Sequence, residues 1–164
     1  ILNIPNELIA QFLKTTKALE HRLENFFLKK NTLFVNDSKG TNVESTVKAI
    51  EAFKNKVVLI AGGENKKICN DELIKKINER VGFVYLIGET GTILAEEMDK
   101  VGYKKYKNLG TLEKVLLDIR ENIDFEDGQT ILFSPATACF DQFKNFEERG
   151  RIFKELTNKI LGEK

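Results

Sequence analysis

Asp37, Lys39 and Thr41 occupy alternate positions in Asn36-Asp37-Ser38-Lys39-Gly40-Thr41-Asn42, directly after the β-branched and aromatic run Thr32-Leu33-Phe34-Val35. They offer a carboxylate, a cation and a hydroxyl, and Gly40 offers a backbone free to take unusual angles. A strand that ends in a polar, glycine-containing turn and opens a helix is where α/β folds place ligands. Far downstream, Ser134-Pro135-Ala136-Thr137-Ala138-Cys139-Phe140-Asp141-Gln142-Phe143-Lys144-Asn145-Phe146-Glu147-Glu148-Arg149-Gly150 sets small residues after another strand, then a dense aromatic and polar string. The small residues let a ligand approach the backbone, and a helix starting there would present free N–H groups to a carboxylate.

Lys39, Lys66 and Lys144 each sit in or just beyond a strand-end turn. Converging on one rim they would suit an anion such as a dicarboxylate or phosphate; they fit equally as solvated lysines among 26 basic residues. Cys139 would need an activating histidine to act as a nucleophile, and none is placed for it. His21-Arg22 reads as an ordinary surface pair, and the single histidine as structural.

Composition narrows the function classes. The chain has 164 residues, 41% of them apolar and 31% charged, with a net charge of +1 and interspersed signs. That fits one soluble domain with a good core and argues against nucleic acid or an anionic membrane surface as the main partner. No apolar run is long enough to span a membrane, and no signal-peptide pattern opens the chain. Two cysteines, Cys69 and Cys139, and one histidine make neither a disulfide framework nor a zinc site. Reduced thiols in a cytoplasmic protein are the expectation. The sequence opens on Ile1 rather than methionine and is read as a piece of a longer product.

Hydrophobic periodicity places the elements that must hold these residues. A short helix is expected from about Asn6 to Leu19, then a hairpin of Leu23–Leu28 and Thr32–Val35 joined by the three-residue loop Lys29-Lys30-Asn31. Val43, Val47, Ile50 and Phe53 mark a helix face, with Thr41 capping it and Glu44 reaching back. Val57–Ile60 reads as a strand covered on both faces. A helix over Asp71–Val81, a strand over Phe83–Ile87 and a helix burying Ile93, Leu94, Met98 and Val101 follow. A short strand near Tyr103–Tyr106, a helix burying Leu112, Val115, Leu116 and Ile119, the strand Thr130–Phe133 and a final helix from Phe146 complete the order. Strands alternating with helices predict a Rossmann-like α/β fold: a mostly parallel sheet with one antiparallel hairpin strand and helices on both faces. Neither G-x-x-x-x-G-K-[ST] nor a G-x-G-x-x-G after the first strand is present, so the chain cannot be a self-sufficient P-loop enzyme.

The turn at Asp37, with Ser134-Pro135-Ala136 and the string Asp141-Gln142-Phe143-Lys144-Asn145-Phe146-Glu147-Glu148-Arg149-Gly150, closely resembles the C-terminal domain of the Mur ligases, specifically those that add D-glutamate. His21-Arg22 and Gly62-Gly63-Glu64-Asn65-Lys66 also match positions of that family's motifs. The likeness runs from about His21 to the end, and residues 1–20 resemble the last helix of the preceding central domain plus a hinge. The resemblance implies a domain, residues 21–164, of an ATP-dependent ligase of peptidoglycan precursor synthesis, cytoplasmic and monomeric. ATP and Mg2+ would be bound mainly by an upstream P-loop domain, and UDP-N-acetylmuramoyl-L-alanine, activated as an acyl phosphate, would receive D-glutamate.

Carried over residue by residue, the resemblance gives Arg22 and Asp37 to the nucleotide, Asp37 through the ribose hydroxyls. It gives Lys66 and Thr41 to the α-carboxylate of D-glutamate. The Cys139 position and the backbone around Phe146, with Phe140 beside them, go to its side-chain carboxylate, and Lys39 neutralises the site as the catalytic cation. Two positions depart from the pattern. Serine is common where Cys139 stands, and a thiol is the weaker hydrogen-bond donor; alanine is the counterpart of Gly40, a change expected to be mild. Alternatives are another amino-acid-adding ligase of the same superfamily, folylpolyglutamate synthase-like, and, from a different class, a non-catalytic Rossmann-like module that binds an acid or nucleotide.

Overall fold

The computed structural model describes residues 5, 7, 8, 19–65 and 70–162. The helix expected from Asn6 to Leu19 lies largely outside these residues, as do Lys66 and Cys69. Six strands, β1 (Glu24–Lys29), β2 (Thr32–Asn36), β3 (Val57–Gly62), β4 (Val81–Ile87), β5 (Tyr106–Gly110) and β6 (Thr130–Phe133), form one sheet in the order β1-β2-β6-β3-β4-β5. β1 and β2 pair antiparallel; every other pair is parallel. From residue 19 on, the helices among the described residues are α1 (Val43–Glu51), α2 (Asp71–Arg80), α3 (Thr90–Lys100), α4 (Leu112–Asn122) and α5 (Phe146–Leu161), with a 3-10 turn at Phe125–Asp127.

The central strand shows why the chain folds in three layers. Val57, Leu59 and Ala61 point into a core completed by α1, α2 and α3, while Val58 and Ile60 point into one completed by α4 and α5. A strand buried on both faces must be apolar at every position, which is how Val57–Ile60 reads. Each residue removed from water on either face contributes roughly 1.5–3 kcal/mol.

Several local expectations are corrected. The hairpin turns on two residues, Lys30 and Asn31, rather than three, because Lys29 pairs with Thr32; Lys30 takes φ 50°. α2 stops at Arg80 and β4 begins at Val81, which pairs with Val57. β5 starts at Tyr106, where the expected strand ended, and runs to Gly110. Tyr103 is buried outside the strand, its hydroxyl donating to the Val81 carbonyl. β5 is a polar edge strand held by Lys107 Nζ, 2.7 Å from Asp118 Oδ1, and a lysine there also discourages pairing with another chain. Asn42, not Thr41, caps α1: its extended backbone lets Oδ1 accept from Ser45 N at 2.8 Å. No described helix is long and apolar enough to cross a membrane.

Candidate functional site

Four parallel strands, β2, β6, β3 and β4, end on the same rim, so the turns after them meet. The loop after β6 is the hub. Gly62 N donates to Pro135 O, Glu64 N to Ala138 O, and Ala136 N to Gly40 O. Asp37 N donates to Phe133 O, and Glu89 N to Asp141 Oδ2 at 3.3 Å. The turn at Asp37 and the segment from Ser134 to Phe146 are thus one structure, far apart in sequence but tied backbone to backbone.

Asp37 is buried at this junction. Its Oδ2 accepts from Ser134 Oγ at 2.6 Å and its Oδ1 from Leu23 N at 3.2 Å. Burial pushes its carboxyl above the ordinary range, while the Ser134 and Leu23 bonds and the charge of Arg22 pull it back. Arg22, Asp37, Lys39, Gly40 and Lys48 line an open cleft of ≈ 370 Å³ beside α1, so the two residues assigned to a nucleotide and the assigned catalytic lysine do converge. Lys39 is exposed, its Nζ 5.2 Å from the centre of the Phe146 ring. Thr41 is half-buried in the same turn. Gly40 has no left-handed φ; it is needed for space. A Cβ there would lie 2.6 Å from both Asp37 Oδ2 and Ser134 Oγ, so an alanine requires those two side chains to shift.

The other half of the rim holds Cys139, buried, and Phe140, 64% exposed. Burial pushes the Cys139 thiol up and keeps it protonated. The Cys139 carbonyl accepts from Gln142 N and Phe143 N, curling the chain toward α5. At the start of α5, Asn145 Oδ1 accepts from Glu148 N and Glu148 Oε2 from Lys144 N, leaving the first N–H groups of the helix available. Lys144 is exposed and does not line the Asp37 cleft. Lys66 lies outside the described residues; the chain leading to it, through Gly63, Glu64 and Asn65, is on the rim.

Two residues read differently in three dimensions. His21 is buried, not a surface residue. It takes φ 64°, lies 2.9 Å from Asn36 Nδ2 through Nδ1 and 3.7 Å from Glu20 Oε1 through Nε2, an arrangement suited to the neutral ring with its proton on Nε2. Burial lowers its pKa more than Glu20 and Glu24 raise it. Its folded-state pKa is therefore below its unfolded value, so its contribution to stability is complete above about pH 6.5 and is lost as pH falls through the folded pKa. The melting temperature should fall between pH 7.5 and 5.5, and His21→Gln should flatten that dependence; an unchanged slope would contradict it. Arg149 was not singled out from the sequence, yet it is fully buried. Its Nε donates to Ser38 Oγ (3.0 Å), Nη2 to Ser38 O (2.8 Å), and Nη1 to Thr137 O (3.1 Å) and Ala138 O (3.3 Å). Burial lowers its pKa to about 10, still well above neutrality.

Known proteins are similar to this chain in sequence and in fold. The family model described as Mur ligase, glutamate ligase domain, matches residues 21–137. A UDP-N-acetylmuramoylalanine--D-glutamate ligase of Fusobacterium nucleatum is 43% identical over 164 residues, covering 99% of this chain and 38% of that protein. A protein of the same name from Caldicellulosiruptor bescii is 38% identical over 159 residues, covering 96% of the chain and 34% of its own length. The chain thus spans little more than a third of these relatives. In fold it is similar to a bifunctional folylpolyglutamate synthase/dihydrofolate synthase from Yersinia pestis (TM-score 0.60, 16% identity, 94% of this chain and 35% of that one). It is also similar to a MurF ligase from Thermotoga maritima in complex with ADP (TM-score 0.52, 17% identity, 93% of this chain and 36% of that one).

Proposed function

Because the chain belongs to the Mur ligase family, whose glutamate ligase domain its residues 21–137 match, we propose that it is the amino-acid-binding C-terminal domain of a cytoplasmic, monomeric ligase. That ligase adds D-glutamate to UDP-N-acetylmuramoyl-L-alanine in peptidoglycan precursor synthesis. The observation that carries the reading is the single rim joining the Asp37 turn to the Cys139–Phe146 segment. In this proposal the domain boundary lies near residue 20, a reading supported by a family match that starts at residue 21.

In this reading ATP activates the alanyl carboxylate as an acyl phosphate in the rest of the protein, and this domain presents the amine. A diacid must be held at both ends for its amine to face the activated carbonyl. Lys66 and Thr41 take the α-carboxylate; the Thr41 hydroxyl is available because Asn42 caps α1. The side-chain carboxylate lies at the Cys139 position and the start of α5, with Phe140 alongside. A buried, protonated thiol donates weakly, so the backbone N–H groups there carry most of that contact. Lys39 neutralises charge where the halves meet.

Arg22 and Asp37 take the nucleotide. An ionised carboxylate has about four acceptor sites. Asp37 spends two on Ser134 and Leu23, which leaves capacity for ribose hydroxyls. The cleft interleaves Asp37 and Glu44 with Arg22, Lys39 and Lys48, a set that suits hydroxyls and phosphates better than a bare divalent ion. Mg2+ is accordingly assigned to the rest of the ligase.

The test is ligation by the whole protein with ATP and UDP-N-acetylmuramoyl-L-alanine, offering D-glutamate, L-glutamate, L-lysine or diaminopimelate in turn. D-glutamate should be used and the others left, while the isolated chain should turn over none. Preference for L-glutamate would move the assignment to a folylpolyglutamate synthase-like ligase. Turnover by the isolated chain would show that the essential groups do not lie elsewhere.

A further inference from the structure

We propose that Arg149 is the positioning residue of the acid site: its guanidinium sets the spacing between the turn after β2 and the loop after β6. The two ends of D-glutamate then meet contacts already at the right separation. This inference rests on the D-glutamate reading above.

The geometry is specific to a guanidinium. Its planar fork donates four hydrogen bonds, two to Ser38 in the first loop and one each to the Thr137 and Ala138 carbonyls in the second. Ser38 is the neighbour of Asp37 and Lys39, and Ala138 is the neighbour of Cys139. The Ser38 hydroxyl accepts from Arg149 Nε and donates to Phe146 O at 2.9 Å, so the start of α5 is fixed by the same contact. The ring of Phe133 lies 5.9 Å from the guanidinium carbon and closes the cation from below. A buried charge is costly unless its hydrogen bonds are met, and here oxygens from both halves of the site meet them. The guanidinium touches no solvent-facing surface, so it acts through the loops.

Lysine keeps the charge but loses the fork, which makes Arg149→Lys the informative variant. In the whole ligase it should raise the D-glutamate KM about tenfold or more, with the KM for UDP-N-acetylmuramoyl-L-alanine unchanged. Ser38→Ala, which removes one link between the same loops, should raise the D-glutamate KM about threefold. It alone decides the matter, by the same criterion, if Arg149→Lys does not fold. A fall in kcat with every KM at its wild-type value would mean only fewer folded molecules and would overturn the inference, as would an unchanged D-glutamate KM. Wild-type enzyme that ignores D-glutamate would instead overturn the functional reading, and this inference with it.

Discussion

Replacing Gly63 with alanine should abolish ligation by the whole protein, lowering kcat/KM for D-glutamate by at least about 100-fold. Gly63 takes φ 153°, and a Cβ there would collide with the Ala138 carbonyl and lie 2.6 Å from Thr137 Oγ1. Both neighbours belong to the loop that carries Cys139, and Gly63 leads into Glu64, whose N–H holds Ala138 O. The added methyl should therefore prise the end of β3 from the hub loop and displace both halves of the proposed acid site together. Backbone strain and the broken contacts should also lower stability by about 3 kcal/mol. Gly102 is the control. It also takes a positive φ, 78°, but a Cβ there meets nothing within 4 Å. Gly102→Ala should cost only about 1–2 kcal/mol in strain and leave the D-glutamate KM alone. Steady-state kinetics and melting curves on the two variants check this. Equal loss of activity in both would show that activity follows stability, not the geometry of the rim.

Lys39→Ala should have the second-largest effect, and an opposite signature. Lys39 is exposed and, among the described residues, its Nζ lies over the face of Phe146, so its loss should change stability by no more than about 0.5 kcal/mol. Yet it lines the cleft proposed for the nucleotide and lies over Phe146 at the start of α5. Removing one preorganised charge from such a place typically costs about 100- to 1000-fold in kcat. Lys39→Arg should recover part of that loss, since charge is the property at stake. Thermal unfolding beside single-turnover kinetics separates the two readings: a solvated surface lysine predicts neither loss.

How much of this was legible in the sequence follows from the range of each interaction. β3 announces itself because every position from Val57 to Ala61 is buried, and an unbroken apolar run records that directly. β5 was placed too early because its signal is inverted. The edge strand Tyr106–Gly110 is polar, and the buried aromatic Tyr103 lies outside it. The cap of α1 was misread by one residue, since Thr41 and Asn42 are both good caps and only the backbone angles decide. His21 was missed as a buried residue because what covers it, Asn36 and the turn of α5 around Gly150, is distant in sequence.

Arg149 left a signal that its neighbours drowned. Glu147-Glu148-Arg149 reads as a solvated charge run, but Arg149 falls three residues after Phe146 and four before Phe153, on the inward stripe that continues to Thr157 and Leu161. A charge on an apolar stripe must find partners from other loops, here those that carry Ser38, Thr137 and Ala138. The rim itself was the most legible part, because parallel strands force their following turns to one edge.

The most direct measurement is a titration of D-glutamate into the isotope-labelled whole ligase with ADP present, following backbone amides. Saturable shifts should gather in residues 38–42, 62–65 and 136–147, the turns after β2 and β3 and the segment from the β6 loop into α5. Shifts confined to other faces of this domain, or none while the enzyme turns D-glutamate over, would contradict the proposed acid site.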